Sequence, residues 1–76
     1  MNMKRRKSLK ELYQLIEDAK AQLEAILEEE EEARDNIPES LQDSERYQVA
    51  EEACENMEEA VSGLDDVLEY IESAME

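Results

Sequence analysis

Any chemistry in this 76-residue chain falls to carboxylates, because 23 of its residues are Asp or Glu and none is His. The densest group is the run Glu28, Glu29, Glu30, Glu31 and Glu32. Carboxylates crowded on one helix can in principle hold a divalent cation. A calcium loop, however, needs an Asp-rich turn containing Gly, and a di-iron bundle needs Glu-x-x-His on its helices. Neither pattern occurs, so the run reads as a solvated face. The absence of His also removes the usual neutral-pH base and imidazole ligand. One cysteine, Cys54, makes no intrachain disulfide and no thiolate cage, and its acidic neighbours disfavour a reactive thiolate. The expectation is a chain that is not an enzyme, with no cofactor, no metal and no small-molecule substrate.

Charge is segregated as well as large. The formal net charge is −15, yet Lys4, Arg5, Arg6, Lys7 and Lys10 place five of the eight basic residues at the start. This tip (residues 1–8) could touch nucleic acid or an anionic lipid surface. It has no interleaved aromatics, and it belongs to a body that repels phosphate. Neither direct nucleic-acid binding nor membrane binding is expected. No apolar core follows the basic start and no apolar run is near 18 residues, so the expected location is cytoplasmic, where a lone thiol stays reduced.

The elements that carry these groups must be helices, since the chain has one Gly, one Pro and an apolar set rich in Leu and Ala. Ser8 lies three residues before Glu11, the spacing of a capping box, which predicts a first helix over 9–35. Its apolar positions Leu9, Leu12, Ile16, Ala19, Leu23 and Ile26 follow a 3,4 spacing, and Leu15 and Leu27 widen that stripe. Pro38 ends the helix near Asn36 and Ile37. A connection over 36–43 with room for one helical turn then leads to Asp43 or Ser44 as the N-cap of a second helix over 44–75. The second stripe is Tyr47, Ala50, Cys54, Met57, Val61, Leu64, Leu68, Ile71 and Met75, flanked by the small row Ala53, Ala60, Val67 and Ala74.

The fold class that follows is all-α: an antiparallel, coiled-coil-like helical hairpin over 9–76. Pairing Leu9 with Ile71, Leu12 with Leu68, Ile16 with Leu64, Ala19 with Val61, Leu23 with Met57, Ile26 with Cys54, Glu30 with Ala50 and Ala33 with Tyr47 sets an a position against a d position in every layer, as an antiparallel pair requires. The basic tip then sits beside Glu69, Glu72 and Glu76, near the negative end of the second helix. A lone hairpin of this length buries too little to be secure. Leu15, Leu27, Val67 and the alanine row need a further partner, and a second copy forming a twofold four-helix bundle is the economical one.

The acidity does not serve helix stability. Glu24 with Glu28, Glu28 with Glu32, Glu51 with Glu55, Glu55 with Glu59 and Asp65 with Glu69 are like charges at i,i+4, each unfavourable by roughly 0.2 to 0.5 kcal/mol. Only Glu30 with Arg34 is a well-ordered opposite pair. Over a hairpin about 45 Å long, from 1.5 Å of rise per residue, the carboxylates approach the charge density of duplex DNA. Two functions use this fold. One is a protein-interaction module with apolar anchors at Ile37, Leu41 and Tyr47 or beside the stripe. The other is a DNA mimic that engages a nucleic-acid-binding protein through Glu28, Glu29, Glu31 and Glu32. A structural virion or assembly helix is a third.

The segment Asp35-Asn36-Ile37-Pro38-Glu39-Ser40-Leu41-Gln42-Asp43-Ser44-Glu45-Arg46-Tyr47 resembles the central signature of a family of small acidic uncharacterised helical proteins from phages, prophages and mobile elements of Gram-positive bacteria. The basic start, the Glu-rich end of the first helix and the closing Ala-Val-Ser-Gly-Leu-Asp-Asp-Val-Leu-Glu-Tyr-Ile-Glu stretch extend the likeness over nearly the whole chain. The resemblance implies no activity. It implies a genetic setting in which small acidic proteins act by binding and disabling a host protein.

Overall fold

In the computed structural model, which describes residues 1–76, two helices fold back on one another with no strand: α1 (Met3–Asp35) and α2 (Glu45–Met75). The first begins at Met3 and not at Leu9, because Asn2 supplies the cap. Its side-chain oxygen accepts from the Arg5 amide at 2.8 Å, and nothing between Met3 and Ser8 breaks a helix. Ser8 is an interior residue whose hydroxyl donates to the Lys4 carbonyl at 3.2 Å, so the expected capping box is not formed. The basic tip is therefore the first turns of α1 and not a separate segment.

The connection behaves as its sequence dictates. Asn36 ends α1 with its amide bonded to the Glu32 carbonyl. Pro38 then leads into a single 3-10 turn, Glu39–Leu41, in which the Leu41 amide reaches the Pro38 carbonyl at 2.8 Å. Ser44 caps α2, its hydroxyl accepting from the Tyr47 amide at 3.3 Å.

The inward row of α2 is the expected one: Tyr47, Ala50, Cys54, Met57, Val61, Leu64, Leu68, Ile71 and Met75 are all buried or half-buried, with Cys54 fully enclosed. The row of α1 departs from expectation. Leu9, Ile16 and Leu23 face inward, but the residues between them are Tyr13, Lys20 and Leu27, followed by Glu30, Arg34 and Ile37. Leu12, Ala19 and Ile26, expected in the seam, are exposed. Both rows obey a 3,4 spacing and share Leu9, Ile16, Leu23 and Glu30, so periodicity cannot separate them. The inward row draws on longer stems. Tyr13, Lys20 and Arg34 can lay their carbons along α2 while their polar heads emerge at the edge.

Register shifts with the row. The two inward rows align residue for residue when partner numbers sum to 84, setting Ile16 at the level of Leu68, Leu23 at Val61, Leu27 at Met57 and Ile37 at Tyr47. The cross-helix couplings agree with this alignment. Lys20 bridges to Asp65, next to Leu64; Tyr13 senses Glu72, next to Ile71; Cys54 senses Glu30. The pairing is thus about one turn from the sequence-based register, with Ile37 drawn inside to close the loop end.

The result is a rod of 59 × 15 × 13 Å with a radius of gyration of 17.4 Å, where a compact domain of this length has roughly 11 Å. Only Ile37, Ala50, Cys54 and Leu68 are buried. Accessible surface is 5958 Å², against roughly 4,800 Å² for a typical folded monomer of this mass.

Candidate protein-interaction surface

Two flanks border the inward rows, and they have opposite chemistry. On one side of the seam run Lys10, Glu17, Glu24 and Glu31 of α1 with Glu51, Glu58, Asp65 and Glu72 of α2. In an antiparallel pair these rows come together, because reversing the second helix brings like flanks to the same side. The electrostatics of the seam residues show it. Burial pushes the Cys54 thiol up, and Glu30, Glu31 and Glu58 push it further, against the lowering effect of Arg34. Tyr13 is likewise held above the ordinary phenol range, by desolvation first and then by Glu72 and Glu17. Cys54 is a core residue, enclosed and close to acids.

Lys20 is the counter-ion on this side. It contacts Asp65 at 2.5 Å, and that hydrogen bond raises its pKa, with smaller contributions from the Asp65, Glu24 and Glu17 charges. Arg34 does not pair with Glu30 as its spacing suggested. Its Nε donates to Asp35 at 3.1 Å, the leading cause of its raised pKa. Beyond these two pairs the chain forms no ion pair. The tip residues Lys4, Arg5, Arg6, Lys7 and Lys10 thus leave the expected partners Glu69, Glu72 and Glu76 unengaged.

The other flank is apolar. Leu12, Ala19, Ile26 and Ala33 of α1 run beside Ala53, Ala60, Val67 and Ala74 of α2, and the next row outward holds Ser8, Leu15, Gln22 and Glu29 with Val49, Asn56, Gly63 and Tyr70. Ala33 of α1 and Val49 of α2 line one cleft at the loop end, together with Ile37, Arg46 and Ala50, which places both rows on a common side. Glu29 is the sole acid among them. Leu15 is 66 % exposed, Ile26 53 %, Val67 42 % and Tyr70 77 %. Leu12, Leu15, Ile26, Val49, Val67 and Tyr70 are all the exposed large apolar side chains of the helices apart from Met3 in the first turn. Gly63 lies among them, and a Cβ built on it meets nothing within 4 Å, so packing within the hairpin does not require a glycine there.

The remaining expected sites fall as follows. Ile37 is buried and Tyr47 half-buried at the loop end, so both belong to the closure of the hairpin, whereas Leu41 projects. Glu28, Glu29 and Glu32 are exposed, while Glu31 is half-buried on the acidic flank. No group of His, Cys, Asp and Glu has the geometry to hold a metal ion. No helix is long and apolar enough to cross a membrane. The small row on α2 is legible in the sequence, but its continuation across α1 is not, because Leu12, Ala19 and Ile26 equally fit the 3,4 spacing of a seam. The chain matches no protein-family model, no curated protein and no solved structure.

Proposed function

We propose that this protein is a cytoplasmic, non-enzymatic protein–protein interaction module whose apolar flank packs against the same flank of a second copy, completing a four-helix bundle. One observation carries the reading: the exposed large apolar residues between Leu9 and Met75, Leu41 apart, share a single side of the rod, and Glu29 is the one acid on that side. Scattered exposed apolar residues would need no explanation, but a contiguous apolar face rimmed by charge marks a contact surface. The surface exposed beyond that of a compact monomer is on the order of 1,000 Å², comparable with the roughly 800 Å² per partner of a standard interface. Stacking two such flanks also turns both acidic sides outward, which keeps like charges apart and the assembly dispersed. The phage or prophage setting implied by the loop signature belongs to this reading, with the bundle presenting itself to a host protein.

Light scattering after size exclusion tests the contact surface. The chain should run at about twice 8.8 kDa, and Leu15→Glu with Val67→Glu should give a monomer by placing charge at the centre of the interface. Loss of the dimer in a control such as Glu17→Gln, on the acidic flank, would contradict the assignment.

A second reading has its own support in the acidic flank. The rod carries 23 carboxylates over 59 Å, one per roughly 2.6 Å, looser than the roughly 1.7 Å of duplex DNA, and seven of them form the two rows along one side of the seam. A mimic of this kind would bind a nucleic-acid-binding protein in competition with DNA. Its complex would weaken steeply with salt and be lost on changing Glu28, Glu29, Glu31 and Glu32 to Gln. The module's complex would survive both.

A further inference from the structure

We infer that the cleft at the loop end is a seat for the Tyr70 ring of a second copy. The inference rests on self-association through the apolar flank and adds the side chain that anchors it. The cleft has a volume of about 250 Å³, and Ala33, Ile37, Val49 and Ala50 give it an apolar lining. It opens on the apolar flank, the side that the bundle covers, because Ala33 and Val49 are flank residues and Arg46 continues the row of Ala53, Ala60, Val67 and Ala74. Two guanidinium groups, Arg34 and Arg46, and the Glu30 carboxylate complete the lining. Arg46 is exposed and forms no ion pair, although the chain carries −15.

This chemistry suits a tyrosine. The ring covers the apolar lining, a guanidinium meets its face, and Glu30 accepts from its hydroxyl. Tyr70 is 77 % exposed, more than any other large apolar side chain of the helices except Met3. It shares the outer row of α2 with Val49 but stands three heptads away, about 32 Å at 1.5 Å per residue, so it cannot fill the cleft of its own chain. Symmetry brings it there. Ala60 is the middle residue of α2 (Glu45–Met75). A twofold axis crossing the rod at Ala60 lays α2 antiparallel on its twin without overhang. Ala60 then meets Ala60, Ala53 meets Val67, Asn56 meets Gly63, and Val49 meets Tyr70. The same axis sets Arg46 beside the twin's Ala74, in a last turn that holds no basic residue and ends at Glu76. A cation there complements the negative end of the helix. A twofold axis along the rod would instead turn each cleft toward the other cleft, place both Arg46 residues at one end and leave Tyr70 level with Leu15.

Cross-linking tests the seat. At concentrations where light scattering shows the dimer, Val49→Cys with Tyr70→Cys in one chain should give a disulfide-linked dimer on mild oxidation, since disulfide geometry requires close approach and Cys54 is enclosed. A linked dimer from Leu15→Cys with Tyr70→Cys, and none from the first pair, overturns the proposal. Tyr70→Ser should weaken self-association roughly tenfold or more, while Tyr70→Phe keeps most of it. An unchanged dissociation constant for Tyr70→Ser also overturns the seat. In the Leu15→Glu monomer, Tyr70→Ser should leave the melting temperature unchanged, and a clear drop there would assign the ring to packing within its own chain. A dimer that fails these tests leaves the interaction-module reading standing, whereas a wild-type monomer removes both.

Discussion

The two helices of this hairpin are not equivalent. α2 contributes three of the four buried residues, Ala50, Cys54 and Leu68, and its inward row holds no charge. α1 contributes none, and its inward row is interrupted by Lys20, Glu30 and Arg34. Its more uniformly apolar row, Leu12, Ala19, Ile26 and Ala33, is turned away from α2. The more apolar stripe of α1 is thus left uncovered by its own chain. α2 is organised around the fold of one chain, and α1 is divided between that fold and an exposed apolar flank.

Aspartate substitutions probe this division with the largest expected effects. Leu68→Asp places an unpaired charge in the buried seam and should abolish cooperative melting, at a cost of about 4 kcal/mol or more. Leu64→Asp, half-buried in the same row, should behave similarly. The adjacent pair Leu27 and Ile26 then separates the two roles of α1. Leu27→Asp should unfold the chain, as monitored by circular dichroism, while Ile26→Asp should keep the helical spectrum at high protein concentration and lose the dimer. Equal effects at both positions would erase the distinction between seam and flank.

Smaller perturbations sharpen the comparison. In a hairpin kept monomeric by Leu15→Glu, Gly63→Ala should raise stability by about 1 kcal/mol, because helix propensity improves and the added methyl meets nothing. In the wild-type dimer the gain should shrink or reverse if a partner helix lies close to Gly63. Thermal melts of the two backgrounds give the answer.

The pH response should be alkaline. Burial raises the Cys54 thiol, desolvation and Glu72 raise the Tyr13 phenol, and the Asp65 hydrogen bond raises Lys20. In each case the folded state holds its proton longer than the unfolded chain. The associated stability is complete below the unfolded-chain pKa and is lost as pH rises through the window up to the folded one. Melting temperature should therefore fall above about pH 9, the ordinary thiol value, and Cys54→Ala should remove the earliest part of that decline. Asp65→Asn should lower the melting temperature only slightly at neutral pH, as befits a partly exposed pair.

Much of the fold was legible in the sequence. The stripe of α2, the stop before Pro38, the single turn in the connection and the Ser44 cap all follow from local chemistry, since each depends on residue types with one strong preference. The inward face of α1 was not legible for a definite reason. Ranking candidate rows by apolarity favours Leu12 and Ile26 over Lys20 and Arg34, yet the two rows share Leu9, Ile16, Leu23 and Glu30, and the long stems of Tyr13, Lys20 and Arg34 cover α2 with carbon as a shorter apolar side chain would. The start of α1 was missed because Ser8 and Asn2 are both competent caps, and only the geometry of the first turn distinguishes them. The pairing of the tip with Glu69, Glu72 and Glu76 failed because the observed register sets Leu9 level with Met75 and carries Lys4 to Lys7 past the end of α2.

The central claim is that the apolar flank is covered in solution, and thiol reactivity measures this most directly. Single cysteines at Val67 on the apolar flank and at Asp66 beside it on the outer face should differ sharply at concentrations where the dimer is populated. Val67→Cys should be protected and become as reactive as Asp66→Cys on dilution to monomer. Equal labelling of the two positions at every concentration, with the helical spectrum unchanged, would contradict the account.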